Sequence, residues 1–273
     1  MKAGFAGEYR SVFRGRGIEF DEVRPYEPGD DVRLIDWNVS ARTGELYIKK
    51  HVEEREQTVL LVVDLSGSQE FASFARTKRE VAAEICCVLG IAAASNNDRV
   101  GLLIFTDLVE HYVPPQRGIR HALRAVRDLI LATPKSRKTN LSVALGYIRR
   151  VLRRTAVIFI LSDFLCAGFE KELRVLARHH DVVAIRLQDP IEKLFPKAGI
   201  VAIEDAETGE AVFIDSSDKG FRSRLAEELE KQEGYLRRLF AGLSIDYLSL
   251  STAESYESAL RRLLLLRSQK MSH

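Results

Sequence analysis

The sequence predicts an α/β protein: a doubly wound, mostly parallel six-stranded sheet with a small β-rich accessory segment. Three observations carry this. Residues 59–63 and 156–161 are continuous apolar runs rich in strand formers, the pattern of strands buried on both faces. Helical stretches alternate with such runs from Thr58 onward. Both runs also end abruptly in polar residues, Asp64-Leu65-Ser66-Gly67-Ser68 and Ser162-Asp163. Open α/β sheets form their ligand crevice beyond such strand ends.

Residues 1–56 read differently. They hold the alternation Arg14-Gly15-Arg16-Gly17, Pro25, Pro28 and the only tryptophan, Trp37. Ile18-Glu19-Phe20 and Leu46-Tyr47-Ile48 read as short strands; Pro28-Gly29-Asp30 and Arg42-Thr43-Gly44 read as turns. With so few apolar residues the segment is expected to pack on the main domain, anchored by Trp37. Asp30, Arg33 and Asp36 read as an internal ion-pair set rather than a catalytic group.

From Thr58 the pattern is regular. A strand at 58–63 leads to a helix over 74–94, then a strand at 100–105 and a short edge strand at 109–113 that Pro114-Pro115 ends. Helices over 119–131 and 141–152 flank the loop 134–140. The strand at 156–161, a helix over 169–178 and a strand at 181–187 follow, and Pro190 and Pro196 mark a long connection. Residues 200–204 and 211–214 flank Glu207-Thr208-Gly209-Glu210 as a hairpin. A polar helix over 218–239, a strand at 245–250 and an amphipathic helix over 255–266 close the chain. The expected domains are an accessory segment 1–56, a main domain 57–252 with a hairpin insertion at 199–215, and a cover helix in 253–273. The hairpin is expected to join residues 1–56 in one accessory unit.

Composition narrows the function classes. The chain of 273 residues is 46% hydrophobic and 29% charged, as expected of a soluble globular protein with a substantial core. A net charge of +2 is too small to imply a polyanion partner. Cys86, Cys87 and Cys166 have no metal-binding spacing and read as reduced thiols in a cytoplasmic protein. The first residues have no long apolar core, so no signal peptide is expected. The apolar runs are too short to span a bilayer.

Asp64, Ser66 and Ser68 are three hard oxygen donors at one strand end, which suit Mg²⁺, Mn²⁺ or Ca²⁺ better than zinc. Asp and Ser also cap helices at such turns, so capping and ligation are both open for these residues alone. Asp163 ends a second buried strand. If the two strands flank the point where strand order reverses, both carboxylates face one crevice. Thr139, in a loop before a helix, is placed to bring a third hydroxyl to the same rim.

Asp64-x-Ser66-x-Ser68, Thr139 in Thr-Asn-Leu-Ser-Val-Ala-Leu and Asp163 in Leu-Ser-Asp-Phe resemble the metal-ion-dependent adhesion site of von Willebrand factor A domains. A narrower resemblance covers nearly the whole chain. Residues 14–20, Val23-Arg24-Pro25-Tyr26, Pro28-Gly29-Asp30-Asp31-Val32-Arg33 and Ile35-Asp36-Trp37-Asn38 are similar to the signature of domain-of-unknown-function family 58. The resemblance implies a von Willebrand A-like fold and a metal site of Asp64, Ser66, Ser68, Thr139 and Asp163. It also implies a setting beside MoxR-type AAA+ ATPases, with a chaperone-like role in assembly or maturation of other proteins. Gln69 departs from the pattern, since many A domains carry Met after the second serine. The chain starts close to the signature, so no membrane-spanning leader is expected.

Such a site binds through an incomplete coordination sphere. Mg²⁺ favours octahedral geometry and retains waters, so a partner's Asp or Glu carboxylate can complete the sphere. The reading is therefore a non-enzymatic, metal-dependent protein-interaction module. Lys135, Arg137 and Lys138, just before Thr139, form a basic rim that attracts an acidic partner. Two alternatives remain open. A metal with an open position also activates water, but no nucleophile elbow or Walker loop accompanies this one. Arg117, Arg120, Arg124 and Arg127 with Arg149, Arg150, Arg153 and Arg154 raise nucleic-acid binding, yet few aromatics interleave them for base stacking, and no nucleic-acid partner is expected.

Overall fold

Apolar runs of this kind fold together because each strand buries both faces under helices. The computed structural model describes residues 9, 22–50, 56–73, 75–193 and 197–271. The alternation at 14–17, the strand expected at 18–20, Phe74 at the expected start of a helix, and Pro196 lie outside the described residues. The chain divides into two compact units, Phe13–Gln57 and Met1–Val12 with Thr58–His273.

In the smaller unit, β1 (Glu22–Pro25) pairs antiparallel with β2 (Tyr47–Lys50). Between them lies α1 (Trp37–Thr43). Asp36 is its N-cap, accepting from the backbone N–H groups of Asn38 and Val39. Two expectations are corrected here. The ion pair joins Asp30 to Arg24 at 2.7 Å, while Asp36 serves as a cap. Trp37, the expected anchor, is the first residue of this helix and is 68% exposed.

The larger unit holds a six-stranded sheet. Its strands are β3 (Thr58–Asp64), β4 (Arg99–Phe105), β5 (Val109–Gln116), β6 (Val157–Ser162), β7 (Asp181–Gln188) and, later in the chain, a strand Asp246–Ser251. The spatial order runs from Asp246–Ser251 through β7, β6, β3 and β4 to β5. Every pairing is parallel except β4 with β5. Strand order reverses between β3 and β6, so the switch point falls where Asp64 and Asp163 leave the sheet.

The helices between these strands are α2 (Lys78–Ser95), α3 (Ile119–Leu131), α4 (Leu141–Val151) and α5 (Glu170–Ala177), followed after β7 by one helical turn, Pro190–Lys193. The hairpin strands β8 (Ile200–Glu204) and β9 (Ala211–Asp215) come next, then α6 (Lys219–Gly242), the strand Asp246–Ser251, hereafter β10, and α7 (Tyr256–Met271). The β8–β9 pair forms its own two-stranded sheet and belongs to the larger unit.

Alternation along β3 sets the two layers. Leu60 and Val62 pack with Leu141, Leu145 and Ile148 of α4, Leu173 of α5 and Phe240 of α6. Leu61 faces the other way, toward Gly90 of α2. Each such fully buried aliphatic side chain stabilises the fold by about 1.5–3 kcal/mol. α2 begins where Thr77 and Glu80 form a reciprocal capping box. At the sheet edge a bulge opposes Pro114 and Pro115 to Gly101. A Cβ on Gly101 would stand 2.8 Å from the Pro115 ring, so only glycine fits there. No helix among the described residues is long and apolar enough to cross a membrane.

Candidate metal centre

The site begins with a turn that the sequence writes in full. β3 ends at Asp64, and its Oδ1 accepts from the Ser66 N–H at 2.9 Å. That bond turns the chain into a short 3-10 segment, Gly67–Glu70, and brings Ser66 Oγ to 3.2 Å from Ser68 Oγ. On the neighbouring strand, Ser162 donates its hydroxyl to Asp64 Oδ2 at 2.7 Å. Ser162 thus fixes one carboxylate while Asp163, the next residue, supplies the other.

Asp163 is the hub. Its Oδ2 accepts from Ser68 Oγ at 2.7 Å, from Gln69 Nε2 at 3.0 Å and from Lys78 Nζ at 2.9 Å. Its Oδ1 accepts from the Leu165 N–H at 3.2 Å. Asp64, Ser66, Gln69, Lys78 and Asp163 are all buried. The loop behind Asp163 is strained, since Phe164 has φ +55°, a region costing a bulky residue on the order of 1–3 kcal/mol. Its buried ring, edge-on to Phe240 at 5.2 Å, holds that conformation in place.

Four of the five ligand candidates are therefore joined by hydrogen bonds: Asp64, Ser66, Ser68 and Asp163. Thr139 approaches through the neighbouring loop. The Arg137 carbonyl accepts from the Gly67 N–H at 2.8 Å. Thr139 itself donates its hydroxyl to Glu207 Oε1 at 2.5 Å, across to the β8–β9 tip. Of the basic rim, the Arg137 side chain donates to the Ala206 carbonyl at 3.0 Å, while the Lys135 N–H bonds Glu110 and the Lys138 N–H bonds Ser136.

Electrostatics separate the two carboxylates. Burial, then the charge of Asp163, pushes Asp64 up to about 7 against the hydrogen bonds from Ser162 and Ser66. Burial also acts to raise Asp163, but the charge and hydrogen bond of Lys78 outweigh it and hold Asp163 below its ordinary value. Lys78 is itself raised: burial opposes its charge, and Asp163 with Glu192, 2.6 Å away, more than compensates.

A hard divalent cation fits this donor set. Three carboxylates, Asp64, Asp163 and Glu192, share the network with one cation, Lys78, among the described residues. Three hydroxyls and two carboxylates are the oxygen ligands that Mg²⁺, Mn²⁺ or Ca²⁺ prefers. Sequence reasoning missed Ser162, Lys78, Glu192 and Glu207. Ser162 was legible as the residue beside Asp163; the other three had no signal, since only tertiary contact brings them in.

The protein is a doubly wound α/β domain with a hydroxyl and carboxylate cluster at the switch point of its sheet. The chain belongs to the family described as protein of unknown function DUF58, whose sequence model matches residues 22–235. It is 32% identical over 249 residues to uncharacterized protein Rv1480 of Mycobacterium tuberculosis, covering 90% of this chain and 78% of that protein. Uncharacterized protein Mb1516 of Mycobacterium bovis matches to the same extent. Among solved structures, conserved hypothetical protein BatB from Bacteroides thetaiotaomicron has the same fold, with a TM-score of 0.50 at 14% identity over 78% of this chain and 99% of that one.

Proposed function

We propose that this protein is a metal-dependent protein-interaction module. The observation that carries the reading is the bonded run Ser66–Ser68–Asp163 beside Asp64, at the one place where the sheet's strand order reverses. Ser66, Ser68 and Thr139 would hold the cation as neutral donors, and Asp64 and Asp163 would supply the charge. When bound, the cation supplies an electrophilic position able to take a carboxylate oxygen. Ser162 and Gln69 orient the two aspartates, and Lys78 keeps Asp163 ionised. The partner is a protein presenting an Asp or Glu side chain. The family resemblance makes a MoxR-type AAA+ ATPase the first candidate, in assembly or maturation of other proteins, in the cytoplasm.

The reading is non-catalytic. Both aspartates are held in place by hydrogen bonds, as ligands of a cation would be. Titrating Mg²⁺ and Mn²⁺ into chelator-treated protein by calorimetry tests the proposal. Binding by wild type, lost in Asp64→Ala and in Asp163→Ala, is the expected result. A folded wild type that binds neither ion at about millimolar concentration would overturn it.

A further inference from the structure

The β8–β9 hairpin stands apart from the sheet, yet its tip is seated on the candidate centre by three contacts. Thr139 Oγ1 donates to Glu207 Oε1 at 2.5 Å, the short distance of a charge-assisted bond. Arg137 Nε donates to the Ala206 carbonyl at 3.0 Å. Gly67, in the middle of Asp64-x-Ser66-x-Ser68, lies under the same carbonyl: a Cβ there would stand 2.1 Å from Ala206 O. The hairpin backbone thus occupies the space a side chain at residue 67 would need.

The tip is built to present one carboxylate. Asp205 Oδ1 accepts from the N–H groups of Glu207 and Thr208, at 2.8 and 2.9 Å. The Asp205 N–H bonds the Glu210 carbonyl, and the Gly209 N–H bonds the Asp205 carbonyl. With its backbone fixed in this way, Glu207 points at the hydroxyl of a ligand candidate. On the stem, Ile200 and Phe213 are each 75% exposed and Val212 is 59% exposed.

We propose that Glu207 is an internal ligand of the metal centre: the hairpin supplies in cis the carboxylate that a partner supplies in trans. This deepens, and rests on, the metal-dependent reading given above. Partner recognition is then an exchange of one carboxylate for another. The partner's recognition element is an acidic turn resembling residues 205–209, and it must displace this chain's own hairpin. Tethering gives Glu207 an effective concentration on the order of millimolar, enough to exclude weak acidic ligands and admit strong ones.

The test uses the full chain with Mn²⁺ and a fluorescein-labelled peptide of residues 203–211. Wild type, Glu207→Ala and Glu207→Gln are compared by fluorescence anisotropy, with metal affinity measured by calorimetry on the same proteins. Glu207→Gln keeps an oxygen for the Thr139 hydroxyl but removes the charge, so a merely structural tether survives in it. The expected result is peptide binding about tenfold or more tighter in both variants than in wild type. Chelator should abolish that binding, as should a Glu207→Gln change in the peptide. Equal peptide binding by all three proteins, with Mn²⁺ affinity intact, would overturn the internal-ligand proposal and leave the metal reading standing. Absence of Mn²⁺ binding in wild type and both variants would overturn both.

Discussion

Lys78 Nζ lies 2.9 Å from Asp163 Oδ2, with 1% and 2% of the two side chains exposed. A fixed ammonium is thus buried against one candidate metal ligand. Removing one partner of a buried pair leaves the other charge uncompensated, at about 3–5 kcal/mol. Lys78→Met should lower unfolding free energy by that order in urea titrations. Mg²⁺ should restore part of the loss, since a dication supplies the missing positive charge.

Asp64 gives the metal-free protein a pH dependence of defined sign. Its folded-state value, about 7, is raised above the ordinary 3.8, so the fold favours the protonated acid. That stabilisation is complete below the ordinary value and is lost as pH rises through about 7. Asp163 acts the other way in a lower window, its stabilisation being lost only as pH falls through the ordinary carboxylate range. Metal-free wild type should therefore lose melting temperature between about pH 4 and pH 7. Asp64→Asn should show a flatter profile, as should wild type with saturating Mg²⁺. An equal slope in metal-free wild type and Asp64→Asn would exclude Asp64 as the source.

Gln69 donates to both Asp163, at 3.0 Å, and Ser68, at 3.2 Å. Gln69→Met removes one of three donors from Asp163 Oδ2 while preserving length. Hydrogen bonds to charged groups contribute about 1.5–3 kcal/mol, and two other donors remain, so a loss near the lower end is expected in chemical denaturation. Calorimetry should show weaker Mg²⁺ binding, because Asp163 loses a donor that orients it.

Gly67→Ala should act on the hairpin rather than the core. The new methyl collides with the Ala206 carbonyl, a backbone atom, so the tip must lift. Hydrogen exchange should rise at residues 205–210, with protection in β3 and β6 unchanged. Unchanged exchange at the tip would show that the hairpin is held elsewhere.

Reversing Lys135 and Lys138 to Glu should slow association of an acidic peptide more than it speeds dissociation, with the effect shrinking as salt is raised. Stopped-flow mixing of the labelled peptide with a Glu207→Ala background separates the two rates.

What was legible in the sequence was what local pattern encodes. Continuous apolar runs and their polar ends located β3 and β6, and with them Asp64 and Asp163, because a strand's end is also a crevice's edge. The hairpin was legible from Glu207-Thr208-Gly209-Glu210, but its destination was not. The Thr139–Glu207 bond spans 68 residues and has no sequence spacing to betray it. Lys78 sits in the first turn of an apolar helix, where a lysine ordinarily faces water, and only the fold turns it toward Asp163. Trp37 misled for the opposite reason: a lone tryptophan suggests a core, yet here it is the first residue of a helix and is exposed.

The pairing of Gly101 with Pro115 bears on assembly. Edge strands recruit other chains through unpaired N–H groups, and two successive prolines in β5 offer none. A strand arriving from another molecule would find a gap in its ladder near the C-terminal end of this border. The sheet therefore has a natural terminus at β5, and polymerisation by strand addition is discouraged there by covalent chemistry rather than by charge.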